Sequence, residues 1–384
     1  MILSSADSDY QQCAISVMDN IADPDISFDE KGICNYYYEY KKAEKEMVFS
    51  GNEGKKRLEQ IANNIKQAGR GKKYDCILGL SGGIDSTYLA LLAKQLGLKP
   101  LLVHFDYGWN SEIAVQNIER AVNTLGFDLY THVMDWDEFK DILRAYFKAS
   151  VLDLDVPADH MIFAALFKTA NKYGIKYMLS GNNVQTEHTL PKTWNYNKFD
   201  IVNLRNIHNK FGERKLKHFP KLGLWYSAYY RARGIQSVQL LNCVEYNKME
   251  VKKKITEELG WKDYGGKHHE SVFTRFYQGY ILPNKFHIDK RKAHLSNLIF
   301  SGQLTKPEAL KQIESPPYDE RLQMQDKEYI AKKLGFSTNE FDELLRLPNR
   351  THQEFGTDVN QRQVYFKLIK LARPLTSLIK KVRI

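Results

Sequence analysis

Gly79-Leu80-Ser81-Gly82-Gly83-Ile84-Asp85-Ser86 decides how this chain folds. The run before it, Cys76-Ile77-Leu78, has the length and apolarity of a buried parallel strand. The run after it, Thr87 to Leu96, reads as a helix closed by Gly97. A strand, a hydroxyl-rich Gly-Gly turn and a helix make a phosphate cradle. Backbone N–H groups converge there, glycines admit an anion, and the helix start adds partial positive charge. The loop is neither a G-x-x-x-x-G-K-[ST] phosphate loop nor a dinucleotide G-x-G-x-x-G turn.

Working outward, strand and helix patterns alternate. Pro100–Phe105 reads as a second strand, ending in Asp106-Tyr107-Gly108-Trp109-Asn110, and 111–125 as a helix. Residues 127–134 read as a third strand. A helix capped by Asp137 runs to about Lys148, and Pro157–Tyr173 is helical. Ile175–Ser180 is a fourth strand, followed by Gly181-Asn182-Asn183, and 235–241 is a candidate fifth. The alternation predicts an α/β fold with a doubly wound parallel sheet, its ligands at the carboxyl ends of the strands. Ser81–Ser86, Asp106–Asn110 and Gly181–Asn183 then line one crevice. A polar helix over 55–67 precedes the sheet, and beyond Tyr246 the pattern turns helical, with capping boxes at Thr305/Glu308 and Ser337/Glu340. We divide the chain into an amino-terminal segment (1–50), the sheet domain (51–246) and a mostly helical, substrate-binding carboxyl-terminal domain (247–384).

Composition narrows the class. A charged content of 27% and no apolar run near the ~18 residues of a membrane span describe a soluble protein. Residues 1–7 lack a leader's basic-then-apolar pattern, so the expected location is the cytoplasm. The net charge of +10 suits an anionic ligand. Its short clusters, Lys252-Lys253-Lys254 and Lys290-Arg291-Lys292, are mixed with acids, so a nucleic-acid partner is not expected. Four cysteines give no disulfide framework. Cys13-x-x-Ser16 and Cys34-x-x-Tyr37 form two half-knuckles of a zinc ribbon, but Ser and Tyr are poor zinc ligands and no histidine precedes His104. The segment reads as a metal-free ribbon in which Cys13 and Cys34 are the residual sulfur pair.

Residues 263–278 and 285–294 carry an unusual density of ionisable groups threaded with aromatics, among them Lys267, His268, His269, Glu270, Arg275, Lys290 and Arg291. Such density predicts a functional surface.

Ser81-Gly82-Gly83-x-Asp85-Ser86 resembles the pyrophosphate loop of the PP-loop ATP-pyrophosphatase superfamily (adenine nucleotide α-hydrolase-like). Its members cleave ATP between the α- and β-phosphates and adenylate a carbonyl-type oxygen. The chain to about Thr357 further resembles the N-acetyl sugar amidotransferases of bacterial surface-polysaccharide (O-antigen, lipopolysaccharide) pathways, the WbpG-like group. That resemblance rests on Val17-Met18-Asp19, on residues 28–35, on His104–Asn110, on Ser180-Gly181-Asn182, on Tyr264–Ser271 and on Lys285–Arg291. Ser16 and Tyr37 depart from relatives that carry cysteines there. The resemblance implies conversion of the acetamido group of a nucleotide-linked sugar to an acetamidino group, with ATP and Mg²⁺, and with ammonia from a separate glutaminase. It implies that Ser81, Gly82, Gly83 and Ser86 hold phosphates and that Asp85 binds Mg²⁺. His104 and Asp106 would meet adenosine, and Gly181 and Asn182 the α-phosphate and acetamido group. Lys267, Arg275, Lys290 and Arg291 would meet developing charge or the sugar diphosphate, and His268, His269 and Glu270 the substrate. No cysteine has a nucleophile-elbow setting and residue 2 is Ile, so a resident glutaminase is not expected. Two other readings suit the same core: a tRNA-modifying sulfurtransferase, and a nucleotide-binding subunit without catalysis.

Overall fold

In a computed structural model the backbone is described for residues 10–381 and side chains to residue 370; the leader reading, on residues 1–7, lies outside them. Five parallel strands form the sheet: β1 Cys76–Gly79, β2 Pro100–Asp106, β3 Leu129–Val133, β4 Tyr177–Leu179 and β5 Gln236–Val238, in the order β3-β2-β1-β4-β5. The helices through the sheet are α1 Asn35–Met47, α2 Gly51–Ala68, α3 Ile84–Gln95, α4 Glu112–Leu125, α5 Trp136–Ala149, α6 Val156–Lys172, α7 Val184–Glu187, α8 Ile201–Phe211 and α9 Leu224–Ala232. After β5 come α10 Lys248–Leu259, α11 Val272–Phe276, α12 Leu282–Phe286, α13 Lys290–Phe300, α14 Lys306–Glu314, α15 Glu320–Leu334, α16 Thr338–Arg346 and α17 Val359–Lys381.

Successive side chains of a strand point to opposite faces. Cys76, Leu78, Leu102 and Leu179 accordingly join one apolar layer with α2, α3, α4 and α10. Ile77, Leu101, Val103, Phe105 and Met178 join the other, with α5, α6 and helices of the carboxyl-terminal region. This is the doubly wound α/β architecture expected. The second layer also runs without a break into the amino-terminal segment, through Cys13, Met18, Cys34 and Tyr40. The strand order reverses between β1 and β4, so the crevice opens at the ends of those two strands.

Some boundaries move. Asp135, not Asp137, caps α5, its carboxylate accepting from the Glu138 N–H, and this leaves Asp137 in the first turn. The fifth strand is three residues long, because residues 240–243 coil into a 3-10 turn. Both predicted capping boxes form, and a third closes at Thr351/Glu354. No helix among the described residues is long and apolar enough to cross a membrane.

The amino-terminal segment keeps a ribbon-like outline, with antiparallel bridges Gln12↔Asp19 and Phe28↔Cys34. Both cysteines are buried: the Cys34 N–H donates to Cys13 Sγ at 3.3 Å, and Ser16 Oγ lies 3.9 Å from Cys34 Sγ. Tyr37 sets its ring edge-on to Phe300, 5.5 Å between centroids. Two thiols, a hydroxyl and a packed phenol do not fit the tetrahedral N/S donor set of structural zinc.

Candidate active site

The loop leaving β1 is shaped by its two serines. Ser81 Oγ and Ser86 Oγ lie 3.1 Å apart, and the Gly83 N–H donates to Ser81 Oγ at 3.2 Å. Gly82 is left-handed, at φ 81°, and a Cβ there would sit 2.5 Å from the Ala114 carbonyl oxygen, so no side chain fits. Its own carbonyl accepts from Trp261 Nε1 at 2.9 Å. Gly83 precedes α3 without a capping side chain, which leaves the first N–H groups of the helix for a ligand.

A cavity of about 570 Å³ opens over this loop, within the range of small-molecule sites. Its phosphate end is lined by Ser81, Gly83, Asp85, Ser86, Gly181 and Asn182. Residues 263–270 form one wall, contributing Tyr264, Lys267, His268 and Glu270. That wall is fastened to the end of β2: the Ser111 N–H donates to the Glu270 carbonyl and the Val272 N–H to the Trp109 carbonyl, both at 2.8 Å. The far end belongs to the helical region, with Lys248 and Lys252 on α10 and His294 and Leu298 one turn apart on α13.

Buried charge dominates the electrostatics. Lys267 Nζ is 2.7 Å from Glu187 Oε1. Burial alone would raise Glu187, but Lys267 overrides it and holds the carboxyl below the usual range. Asp85 goes the other way: burial and then the Glu187 charge raise it, against Lys267 and a hydrogen bond donated by the Tyr246 hydroxyl. Lys248 is pushed down by burial and by Lys267. Its ammonium makes no ion pair with the described residues. Glu270 Oε1 lies 3.7 Å from His268 Nδ1, while its Oε2 is buried without a partner.

Asp85, Glu187 and Glu270 border the phosphate cradle, and carboxylate oxygens are the donors a hard divalent cation takes, although the three do not converge on one point. Asp85 and Glu187 would hold Mg²⁺, and the charge that raises Asp85 is the charge such an ion neutralises. When bound, the ion supplies charge neutralisation on the phosphates.

Several residues expected here are engaged elsewhere. His104 spends both nitrogens on protein: Asn110 Nδ2 lies 3.3 Å from its Nε2, and its Nδ1 lies 3.3 Å from the Leu80 carbonyl, so it braces the loop from below. Asp106 accepts from the Gly108 N–H in an exposed turn and does not line the cavity. Arg275 is bound bidentately by Asp326 at 2.9 and 2.8 Å. Arg291 grips Asp289 and the Gln312 and Ser315 carbonyls, tying α13 to the end of α14. Lys290 sits over the Tyr277 ring and offsets the buried Asp155. His269 stacks behind Gly266, edge-on to Tyr318, its pKa pushed down to about 4 by burial and Arg275. These six are architecture around the cavity rather than its lining. Conversely Glu187, Tyr246, Lys248, Tyr264 and His294 face the site or its carboxylates and were not among the expected site residues. Asn183, which caps α7 through Thr186, and Asn247, which caps α10, are the sequence signals that could have flagged Glu187 and Lys248.

Comparison with known proteins matches two stretches of the chain. Residues 75–183 match the asparagine synthase family, and residues 270–371 match the family described as LPS biosynthesis protein WbpG-like, C-terminal domain. These matches support an ATP-dependent, ligase-type enzyme whose sheet region is similar to the PP-loop superfamily. Its carboxyl-terminal region is WbpG-like. An uncharacterised protein of Methanocaldococcus jannaschii is 27% identical over 68% of this chain and 79% of its own length. The tRNA-specific 2-thiouridylase MnmA of Clostridioides difficile is 28% identical over 29% of this chain and 35% of its own. Among solved structures, NMN synthetase from Francisella tularensis covers 77% of this chain and 98% of its own at 15% identity, with a TM-score of 0.39.

Proposed function

We propose that the protein is an amidotransferase acting on a nucleotide-linked N-acetyl sugar, in surface-polysaccharide assembly, and that it replaces the acetamido oxygen by nitrogen. The observation that carries this reading is that one cavity joins the phosphate loop to the Tyr264–Glu270 wall. A site for ATP and a site for the acceptor therefore share one space.

An amide does not react with ammonia because its oxygen cannot leave as oxide. Attack of that oxygen on the α-phosphorus of ATP gives an O-adenylated imidate and releases pyrophosphate. The chain's contribution is positioning and charge stabilisation. N–H groups at the start of α3, with Ser81 and Ser86, receive the β- and γ-phosphates. Lys267 and Lys248 offset charge on the departing pyrophosphate, and Gly181 and Asn182 border the point where the α-phosphate meets the amide. Ammonia then adds to the imidate carbon and AMP leaves. A separate glutaminase supplies the ammonia, the protein works in the cytoplasm, and the helical region receives the sugar nucleotide.

All four cysteines are buried and none lines the cavity, which weighs against a sulfurtransferase. The test is incubation with ATP, Mg²⁺, ammonium and a panel of UDP-acetamido sugars. The expected result is AMP, pyrophosphate and a sugar product whose mass reflects O replaced by NH. Formation of ADP, or no pyrophosphate with any sugar, refutes the reading.

A further inference from the structure

His294 makes no hydrogen bond with the described residues through either ring nitrogen, although both are shut away from water and the residue lines the cavity. An imidazole always carries at least one N–H donor, and when neutral one acceptor as well. Buried polar atoms normally find partners, because leaving them unpaired costs stability that an apolar ring of the same shape would not forfeit. The other buried histidines each keep at least one partner: His104 pairs with Leu80 and Asn110, His160 with Lys198 and Leu222, His208 with Asp141, and His352 with Asn203 through Nδ1, although its Nε2 is unpaired. Among the described buried histidine rings, His294 leaves both nitrogens unpaired, and it does so where it lines a cavity that a ligand can fill. One turn along α13, Leu298 lines the same cavity, so this helix face is directed at the ligand. The ring stands 5.7 Å from that of His268, which is held in a left-handed backbone conformation at φ 65°. Rotation about the Cβ–Cγ bond, or a shift of His268, presents a nitrogen to the cavity.

We propose that His294 is a catalytic residue for the second half of the reaction, receiving the attacking ammonia and taking up the proton it sheds. The inference rests on the amidotransferase reading. The lone pair of NH₃ forms a C–N bond to the carbon of the adenylated imidate, which keeps the amide proton on its nitrogen; the C=N π pair moves onto that nitrogen and the positive charge passes to the new one. His294 accepts one proton from that nitrogen through the lone pair of a ring nitrogen. The C–O bond to the adenylate then breaks, AMP departs with its electron pair, and the amidinium remains. The imidazolium returns its proton to AMP or solvent.

The surroundings favour this direction. The charged and titratable groups around the ring are Lys267 and His268 from the wall, Lys248 from α10 and Lys290 from its own helix. Burial first, and these neighbours second, keep the imidazole neutral at physiological pH.

The test compares wild type with His294→Phe and His294→Ala in two assays: ATP–pyrophosphate exchange with a UDP-acetamido sugar, and amidine formation with ammonium chloride. Since the ring hydrogen-bonds to none of the described residues, His294→Phe should unfold at or above the wild-type midpoint. Exchange should stay within about twofold, while amidine formation falls by about 100-fold or more, the range for a lost general base. Added imidazole should restore part of the rate of His294→Ala. Parallel loss of exchange and amidine formation, or retained amidine formation in His294→Phe, overturns the assignment. A wild type that exchanges no pyrophosphate with any acetamido sugar overturns the amidotransferase reading itself.

Discussion

Replacing Lys267 by Met removes the cation between Glu187 and Asp85, and the structure fixes what that should cost. With Nζ 2.7 Å from Glu187 Oε1, Coulomb's law at an effective dielectric near 20 gives roughly 6 kcal/mol of gross attraction. Most of that is offset by desolvating the two groups. The measurable quantity is the penalty of leaving Glu187 buried alone, which is about 3–5 kcal/mol for a fully enclosed pair. Here 19% of the lysine and 23% of the glutamate side chain stay exposed, so water from the cavity screens part of it. We therefore expect Lys267→Met to lose about 2–3 kcal/mol.

The assay is urea denaturation of wild type, Lys267→Met, Glu187→Gln and the double variant, without nucleotide. The double variant should be more stable than the sum of the singles by about 1–2 kcal/mol, since neither charge is then stranded. It should remain inactive, because stability is restored but the cation facing the phosphates is not. The sign with pH follows from Glu187 being held below its ordinary value: the stabilisation is present at neutral pH and disappears as pH falls below the usual glutamate range. A Lys267→Met variant within about 0.5 kcal/mol of wild type, or strictly additive singles, refutes the reasoning.

Asp85→Asn should abolish pyrophosphate release yet stabilise the ligand-free protein above the acid range. Asp85 is raised by burial and Glu187, so its ionisation disfavours the fold; that cost vanishes on acidification and is absent from the amide, as melting curves against pH would show. Magnesium should raise the wild-type melting temperature at neutral pH and leave Asp85→Asn unmoved; equal shifts would take Asp85 out of the metal site. Gly82→Ala meets both a left-handed backbone and the Ala114 carbonyl, so it should cost about 1–3 kcal/mol and reduce ATP affinity, measurable by calorimetry. Arg275→Met should cost about 3 kcal/mol by stranding Asp326, while the Michaelis constants for ATP and sugar stay near wild type; a selective rise in either would return Arg275 to the site.

The parallel sheet and the phosphate loop were legible in the sequence because each is fixed locally, whereas the strand order was not read there. Ile77 and Leu78 alternate between two faces, Gly82 demands a left-handed turn, and the stretch after Leu179 must exit beside the loop. The fifth strand was over-read because an apolar run such as 235–241 looks alike whether it pairs or coils, and only the neighbouring β4 decides how much of it pairs. Site residues divided differently. Ser81, Asp85 and Ser86 sit within six residues of one another, so spacing placed them. Glu187, Lys248 and His294 come from three helices, and no local pattern announces that they meet.

The polar stretch from 263 to 294 shows why density of charge alone does not locate a site. Arg275, Lys290 and Arg291 have the side chains that bind phosphates, yet each is matched to a protein acceptor or an aromatic face. A cation with its hydrogen-bonding capacity filled has nothing left to offer a ligand without breaking what holds the helices together. Among the described residues His294 has no hydrogen-bond partner and Lys248 no ion pair, although Asp85 and Glu187 offset part of the Lys248 charge, and both border the same cavity. Folding gains little from placing them so. The free energy lost there is recovered only when a ligand supplies the missing partners, and the two groups differ in what they can receive: the ammonium takes negative charge, the imidazole an N–H. That pairing of demands, anion at one point and nitrogen donor at the other, is what a reaction joining a departing phosphate to an arriving ammonia requires of the walls around it.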